Sequence, residues 1–542
     1  MSKIQSQKSD IISFQFLKEK FEKIESDKPW HYFTGFYGFF ILIAIILACF
    51  TTGIFYLQTD VNSARYLLSS IIQSEAAIIA IVITLTLVAV QLTSSTYGPR
   101  VANYFTNSPH MYLLFGLYTL SIAYTSIILQ SIKNADGAIP PSSEILVSFA
   151  FWFEICIIAA LLPYIIYALK TLKPENTIET LTKKVTTDTI IHKNPNDDVL
   201  DSIFDILHGS IMKYDITTVR NGLRLLTPRI IDSITEKNEN GYNVLITEIY
   251  CRHLRRCGQQ AGDLRDTELM EVIIKNLGDV ASHTASLGFD NATLKIFNAI
   301  REIEAIVANR EMTGTFDNLI LISDSVGKMC VEKNLIEAIL RIVLCLEQIG
   351  KHIIEKINPN YKFDPLFFTF ESSIDSLSDL AKNAIREKND QMINIAVLYL
   401  HDVGEYALKK ESISFAEQVA FKILELWENA LKNNFEGTNF SSDPYLALFV
   451  KREVINKWKF MGYMYEQNLL RIGLIATEKN LSQSQENASN LLAELRKCDP
   501  KNFESATKIV EAELTEESRP HYTKFLELQE KRFQKILEDR VW

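Results

Sequence analysis

The sequence predicts an all-α chain: an N-terminal four-helix transmembrane domain followed by a cytoplasmic α-helical solenoid or bundle. Three observations predict it. Four long apolar runs, at 32–57, 67–92, 111–132 and 145–169, are confined to the first third of the 542 residues. Each reaches the roughly 20 residues that an α-helix needs to cross hydrocarbon. Beyond Lys170 the chain instead reads as one amphipathic helix after another, with almost no strand-like alternation. The whole-chain mean hydropathy of +0.04 averages these two unlike parts.

Residues 1–29 form a cytoplasmic amphipathic segment in which Ile11, Ile12, Phe14, Phe16, Leu17 and Phe21 alternate with Lys and Glu. The first apolar run follows too late for a cleavable signal peptide. Residues 30–172 make the membrane domain and 173–542 the cytoplasmic all-helical domain. Orientation follows from Lys and Arg. Lys18, Lys20, Lys23, Lys28, Arg100, Lys170, Lys173, Lys183 and Lys184 fall on one side of the membrane, and only Arg65 and Lys133 on the other. The positive-inside rule places both termini in the cytoplasm, in the cell (plasma or inner) membrane. Trp30, His31, Tyr32 and Phe33 sit where an aromatic belt belongs.

The second run carries the most pattern. Gln73, Ala77, Ala80, Thr84, Val88, Gln91 and Ser95 fall on one helical stripe, small and polar. Such a stripe is either a helix–helix interface, because small residues let helices approach closely in lipid, or the wall of a water-filled path in an oligomer. Glu75 and Glu154 lie inside the second and fourth runs at similar depth, with no Lys or Arg in any span to neutralise them. A carboxylate in hydrocarbon costs about 2.5–3.5 kcal/mol on insertion scales, so each faces the bundle interior or water. Either they serve a cation path, or each is a protonated acid bonded to a neighbour such as Ser69, Ser70, Ser121, Tyr124 or Thr125. Pro163 interrupts the backbone bonding of the fourth run, and Gly35 and Gly38 offer a minimal close-packing signal in the first.

At the end of the second run the chain reads ITLTLVAVQLTSSTYGPR over residues 83–100. Gly98-Pro99 breaks the helix, Arg100 follows at headgroup level, and Ser94, Pro99 and Arg100 are placed in the loop. This run resembles the signature of a prokaryotic membrane-protein family catalogued as domain of unknown function 2254. The matching positions are Gln91, Ser94, Ser95, Pro99 and Arg100, with Gly98 in place of a serine. The resemblance covers about residues 30–170. It implies a four-helix membrane region and carries no biochemical activity with it.

In the second part, amphipathic stretches begin near residues 197, 215, 242, 266, 291, 313, 333, 364, 390 and 413, with Asp215, Asp266, Asp290, Asn291 and Ser412 placed as N-caps. Gly278, Gly327, Gly350 and Gly404 share a local pattern at spacings of 49, 23 and 54 residues. A glycine inside a helix costs about 1 kcal/mol relative to alanine, so its recurrence marks close helix contacts, as in stacked helical hairpins. The segment 516–542 reads as a charged amphipathic helix with Tyr522, Phe525, Phe533, Ile536 and Leu537 on one side.

Chemistry is scarce. No P-loop, HExxH or GxSxG motif occurs, and the seven cysteines contain no CxxC. They read as reduced structural thiols. No enzyme activity, cofactor or metal site is expected. The part after residue 169 holds 47 basic against 56 acidic residues, which argues against nucleic acid as a partner. Two basic clusters, Arg252-His253 with Arg255-Arg256, and Lys451-Arg452 with Lys457-Trp458-Lys459, read as solvated or salt-bridged faces. Three function classes remain: an oligomeric cation channel or pore gated by its cytoplasmic helices, a membrane-anchored interaction protein whose helical domain binds a cytoplasmic protein, and, least supported because no paired aspartates, Ser/Lys or metal-ligand set falls within the spans, an intramembrane enzyme. The lipid bilayer and further copies of the chain are the expected partners.

Overall fold

The computed structural model describes residues 60–97, 109–132, 141–171, 173–191, 198–236, 241–357, 365–433, 462–498 and 500–538, with single positions between 38 and 47. Among the described residues all regular structure is helical. The N-terminal segment 1–29, most of the first apolar run, Pro99, Arg100 and the basic cluster at 451–459 lie outside them. The chain divides into two units, Met1–Lys184 with Asn194–Ser210, and Val185–Lys193 with Ile211–Trp542.

The first unit is built on α1 (Val61–Tyr97), α2 (Pro109–Ile132) and α3 (Pro141–Thr171), each of which packs on the other two. Proline opens α2 and α3, where its missing N–H would be unpaired in any case. Two of the described helices are long and apolar enough to cross a membrane, Val61–Ser95 and Tyr112–Ile132. The 37 residues of α1 span about 55 Å, well beyond the hydrocarbon. The helix stops at Tyr97, directly before Gly98-Pro99. Ser94 and Ser95 are therefore helical, and the placement of Ser94 in a loop is corrected. The reason is local: Thr93 and Ser95 donate their hydroxyls back to Ala89 O (2.8 Å) and Leu92 O (2.9 Å), so this polar segment satisfies itself without leaving the helix. The α3 backbone stays helical across Pro163. Two short helices follow, α4 (Pro174–Thr182) and α5 (Thr187–Ile191), then α6 (Val199–Ile211).

The second unit continues with α7 (Ile216–Glu236), α8 (Tyr242–Leu264), α9 (Thr267–Ser286), α10 (Asp290–Asn309), α11 (Phe316–Glu332), α12 (Ile336–Lys356), α13 (Pro365–Arg386), α14 (Asp390–Lys409) and α15 (Ile413–Lys432). It ends with α16 (Gly462–Glu478), α17 (Ser482–Cys498), α18 (Pro500–Glu513) and α19 (Arg519–Glu538). Through α7–α15 each helix packs on the next and on the one after it. The alternation forms two rows, α7-α9-α11-α13-α15 and α8-α10-α12-α14. Glycines sit where the rows close up. A Cβ at Gly278 would meet Ile322 at 2.7 Å, and one at Gly327 would meet Leu380 at 2.6 Å. Ion pairs tie consecutive members of a row, among them Lys295–Glu248, Arg310–Asp263, Lys356–Glu311 and Lys422–Asp375. Arg255 of the first basic cluster pairs with Glu302 in the same way.

The helix ends keep a stricter count than the glycines. Arg265, Gly288, Glu311 and Asn334 all have positive φ and follow one another at 23 residues, and Lys388 and Glu411 repeat the interval. Each closes a helix in the left-handed turn that glycine adopts freely and other residues adopt at a cost of about 1 kcal/mol. Lys388→Gly, at an exposed position with φ of 55°, is expected to raise stability by about that much in thermal melts.

Caps follow expectation in part. Asp215 accepts from Thr218 N (3.1 Å) and Asp266 from Leu269 N (2.9 Å). Asp290 does not cap its own helix but accepts from Ala338 N (2.9 Å), holding the start of α12 two helices on. Ser412 stands at the N-cap of α15 without a side-chain bond. Cys251, Cys257, Cys330 and Cys345 are buried thiols outside any disulfide, and burial pushes those of Cys251, Cys257 and Cys330 up to about 12, so they stay protonated and inert.

Glu304 of α10 is 2% exposed, and burial pushes its carboxyl up to about 7, against the opposing pull of Arg301. His352 Nε2 of α12 lies 3.4 Å from its Oε1. Between the ordinary value of 4.5 and about 7, the folded chain holds this proton and the unfolded chain does not. Stability from this group is therefore full below pH 4.5 and is lost as pH rises through 7. Denaturant titrations across that range are expected to show the decline in the native chain and a flatter profile in Glu304→Gln.

Candidate intramembrane acid site

The structure brings Glu75 of α1 and Glu154 of α3 together. Glu75 is fully buried and Glu154 is 6% exposed. The two carboxyls are close enough to share a hydrogen bond, and Ser121 of α2 lies beside Glu75. Ser74 donates its hydroxyl to Glu154 Oε1 at 2.7 Å. With both acids ionised, neither oxygen of Glu75 has a donor within bonding geometry, nor has Glu154 Oε2. A bond between them requires a proton.

The α2 face opposite the acids carries Tyr118, Ser121 and Thr125, three and four residues apart and all fully buried. Among the described residues their hydroxyls make no formed hydrogen bond. Tyr118 is near enough to feel the charge of both Glu154 and Glu75. Serine and threonine on this face were legible as candidate partners. Tyr118 and Ser74 were missed, although the 118-121-125 spacing was there to find Tyr118. Tyr124 bonds Leu146 O (3.2 Å) instead, and Ser69 takes Gln73 Nε2 (3.4 Å).

Apolar layers lie on both sides of this polar layer. On one side pack Ala64, Leu68, Ile128, Ile132, Val147 and Ala150. On the other pack Val82, Leu114, Tyr118, Phe153, Cys156 and Ile157. Arg65 is spent on Ile132 O (3.2 Å) at the end of α2.

The stripe of α1 faces elsewhere. Gln73, Ala77, Ala80, Thr84, Val88, Gln91 and Ser95 are all exposed, while Glu75 is buried. Two residues along an α-helix are about 200° apart, so stripe and acids occupy opposite sides. One path cannot be lined by both within a single copy of the chain. Thr84 returns its hydroxyl to Ala80 O (2.7 Å), and Ala80, Ile81, Thr84, Leu85 and Val88 line an open groove of about 470 Å³.

Long apolar helices around a buried pair of acids fit a membrane protein. Residues 29–205 match the model of the family described as "Predicted membrane protein (DUF2254)", the family that the Gln91–Arg100 motif resembles. No curated protein matches the chain. Among solved structures it is similar to a "circular tandem repeat protein with novel repeat topology and enhanced subunit contact surfaces", at 15% identity and a TM-score of 0.29, over 79% of this chain and 99% of the other. A likeness at that score carries no argument.

Proposed function

We propose that the chain is a multi-pass membrane protein that passes cations, with all four apolar runs crossing the bilayer and an α-solenoid on the cytoplasmic side as gate or sensor. The observation that carries this reading is the Glu75–Glu154 pair, buried together from two helices with no cation among the described residues bonded to either. Intramembrane acids are expensive, and lining a cation path is a common reason to keep them. The exposed small-residue stripe of α1 serves the assembly of several copies, since small side chains permit close helix approach in lipid. Recording from purified protein in planar bilayers, with the oligomeric state measured in parallel, tests the reading. A strict monomer with no conductance sinks it.

A second reading keeps the membrane part as an anchor and gives the work to the helical array. Leu321, Phe368 and Leu398 are more than half exposed on that array, which favours a protein partner. Both readings share one topology, with the termini cytoplasmic. Cysteines introduced at Asn62 and Ala138 are expected to react with a membrane-impermeant reagent from outside, and one at Asn103 only from inside. External labelling at Asn103 overturns the arrangement.

A further inference from the structure

We propose that the cation handled by the acid layer is the proton, held between Glu75 and Glu154 and handed along the hydroxyls of Tyr118, Ser121 and Thr125. This rests on the reading of the membrane part as a path for cations and names the cation.

Four observations carry it. The carboxyls are close enough to hydrogen-bond to each other, and two carboxyls can do so only with a proton between them. A metal ion, with bonds of about 2.4 Å to each oxygen, would have to push between them. Charge balance points the same way. Two ionised acids in a layer closed by apolar side chains need a positive partner. Arg65 stands about 15 Å along α1 from Glu75 and is bonded elsewhere.

The hydroxyl row supplies the rest. Tyr118, Ser121 and Thr125 share one buried face of α2, and the Tyr118 and Thr125 hydroxyls have no hydrogen-bond partner among the described residues. Tyr118 belongs to one apolar layer, and Thr125 lies one turn from Ile128 in the other. Over seven residues the row thus covers about 10 Å across the acid layer. Neighbouring positions in the row are about 4.5–6 Å apart along the helix axis, beyond direct hydrogen-bond reach, so the hand-over runs through a water between successive hydroxyls, each of which both donates and accepts. Within the pair, one O–H bond breaks on one carboxyl as another forms on the facing carboxylate. The net charge changes only when a proton leaves along the row.

The test uses the purified full chain in lipid vesicles containing a trapped pH dye, with valinomycin and a potassium gradient setting the potential. Potential-driven proton entry is expected in the native chain. In Glu75→Gln and Glu154→Gln it should fall by about 100-fold, the scale on which a missing proton carrier slows transfer. Vesicles that pass sodium or potassium but no protons overturn the proton assignment and leave the cation reading standing. Vesicles that pass nothing sink the cation reading, and the proton site is then decided on the native protein by a hydrophobic carbodiimide, which modifies carboxyls that carry a proton. Modification at Glu75 or Glu154 that declines from acid to alkaline pH upholds the site. Its absence at every pH overturns it, without any variant that has to fold.

Discussion

Gly473→Ala is expected to detach the C-terminal helix α19 from the rest of its unit. A Cβ at this position of α16 would run into the ring of Phe525, which is fully buried. The ring has little room to yield, because α19 is packed on both α16 and α17. It is further pinned by Arg496, whose guanidinium stacks over Phe533 at 4.3 Å and pairs with Glu530. Overpacking a well-filled core costs about 1–3 kcal/mol, occasionally more, and a clash with a whole ring belongs at the upper end. Phe525→Ala alone should cost about 3–5 kcal/mol through the cavity it leaves. The double variant is the informative one. With the ring gone the added methyl fits, so the two costs should fall short of their sum by about 1 kcal/mol or more, the size of coupling expected for residues in contact. Denaturant unfolding of the four chains measures this, and strict additivity would show that the contact is not made.

Much of the helical array was readable because its chemistry is local. The starts read near 215, 242, 291, 390 and 413 fall within a residue or two of the observed helices, since a period of 3.6 is the main signal, helped by a capping Asp215 and Asn389 at two of them. The repeat length was harder to read. It is written in the helix-closing turns, and of these Arg265, Glu311, Lys388 and Glu411 are not residues that announce a left-handed conformation, while only Gly288 and Asn334 are. The glycines that drew attention mark close approach between helices instead, and close approach recurs only loosely. Asp290 shows another limit. Its sequence position fits a local cap, but its carboxylate is used by a backbone N–H 48 residues away. The helices between 462 and 513 went unread, and their burial depends on partners distant in sequence such as Phe525.

In the first unit, the level of the two acids along their helices was legible and direction was not. Counting residues places Glu75 and Glu154 at one level, and the structure sets them face to face. Counting cannot say that the stripe on the same helix turns outward, because a small, weakly polar stripe serves equally as a contact with neighbouring helices of the same chain or with another copy. The separation matters for function. Any assembly through the stripe leaves the acids inside each copy, so a path through them runs within the subunit and not along a central axis between subunits.

That geometry makes the two acids one unit, and their variants should behave as one. Glu75→Gln and Glu154→Gln each keep shape and one hydrogen-bonding carbonyl but leave a single titratable group. If the pair carries the function, either substitution alone should remove nearly all of the conductance. The double variant should then be no worse than the singles, because a device that needs both partners is already lost with one. Expression and oligomeric state should remain normal, since the two introduced amides fill the same space and can bond to each other. Independent acids would instead give losses that multiply. If the pair only packs, both Gln variants should be silent, and Glu75→Leu should lower stability by about 1–2 kcal/mol, the scale of a hydrogen bond between membrane helices. Silence at both sites would reduce the membrane helices to an anchor and move the function to the exposed apolar side chains of the helical array. Conductance and thermal stability measured on the same preparations separate these outcomes, because the functional pair loses the first with little change in the second, and the packing pair does the reverse.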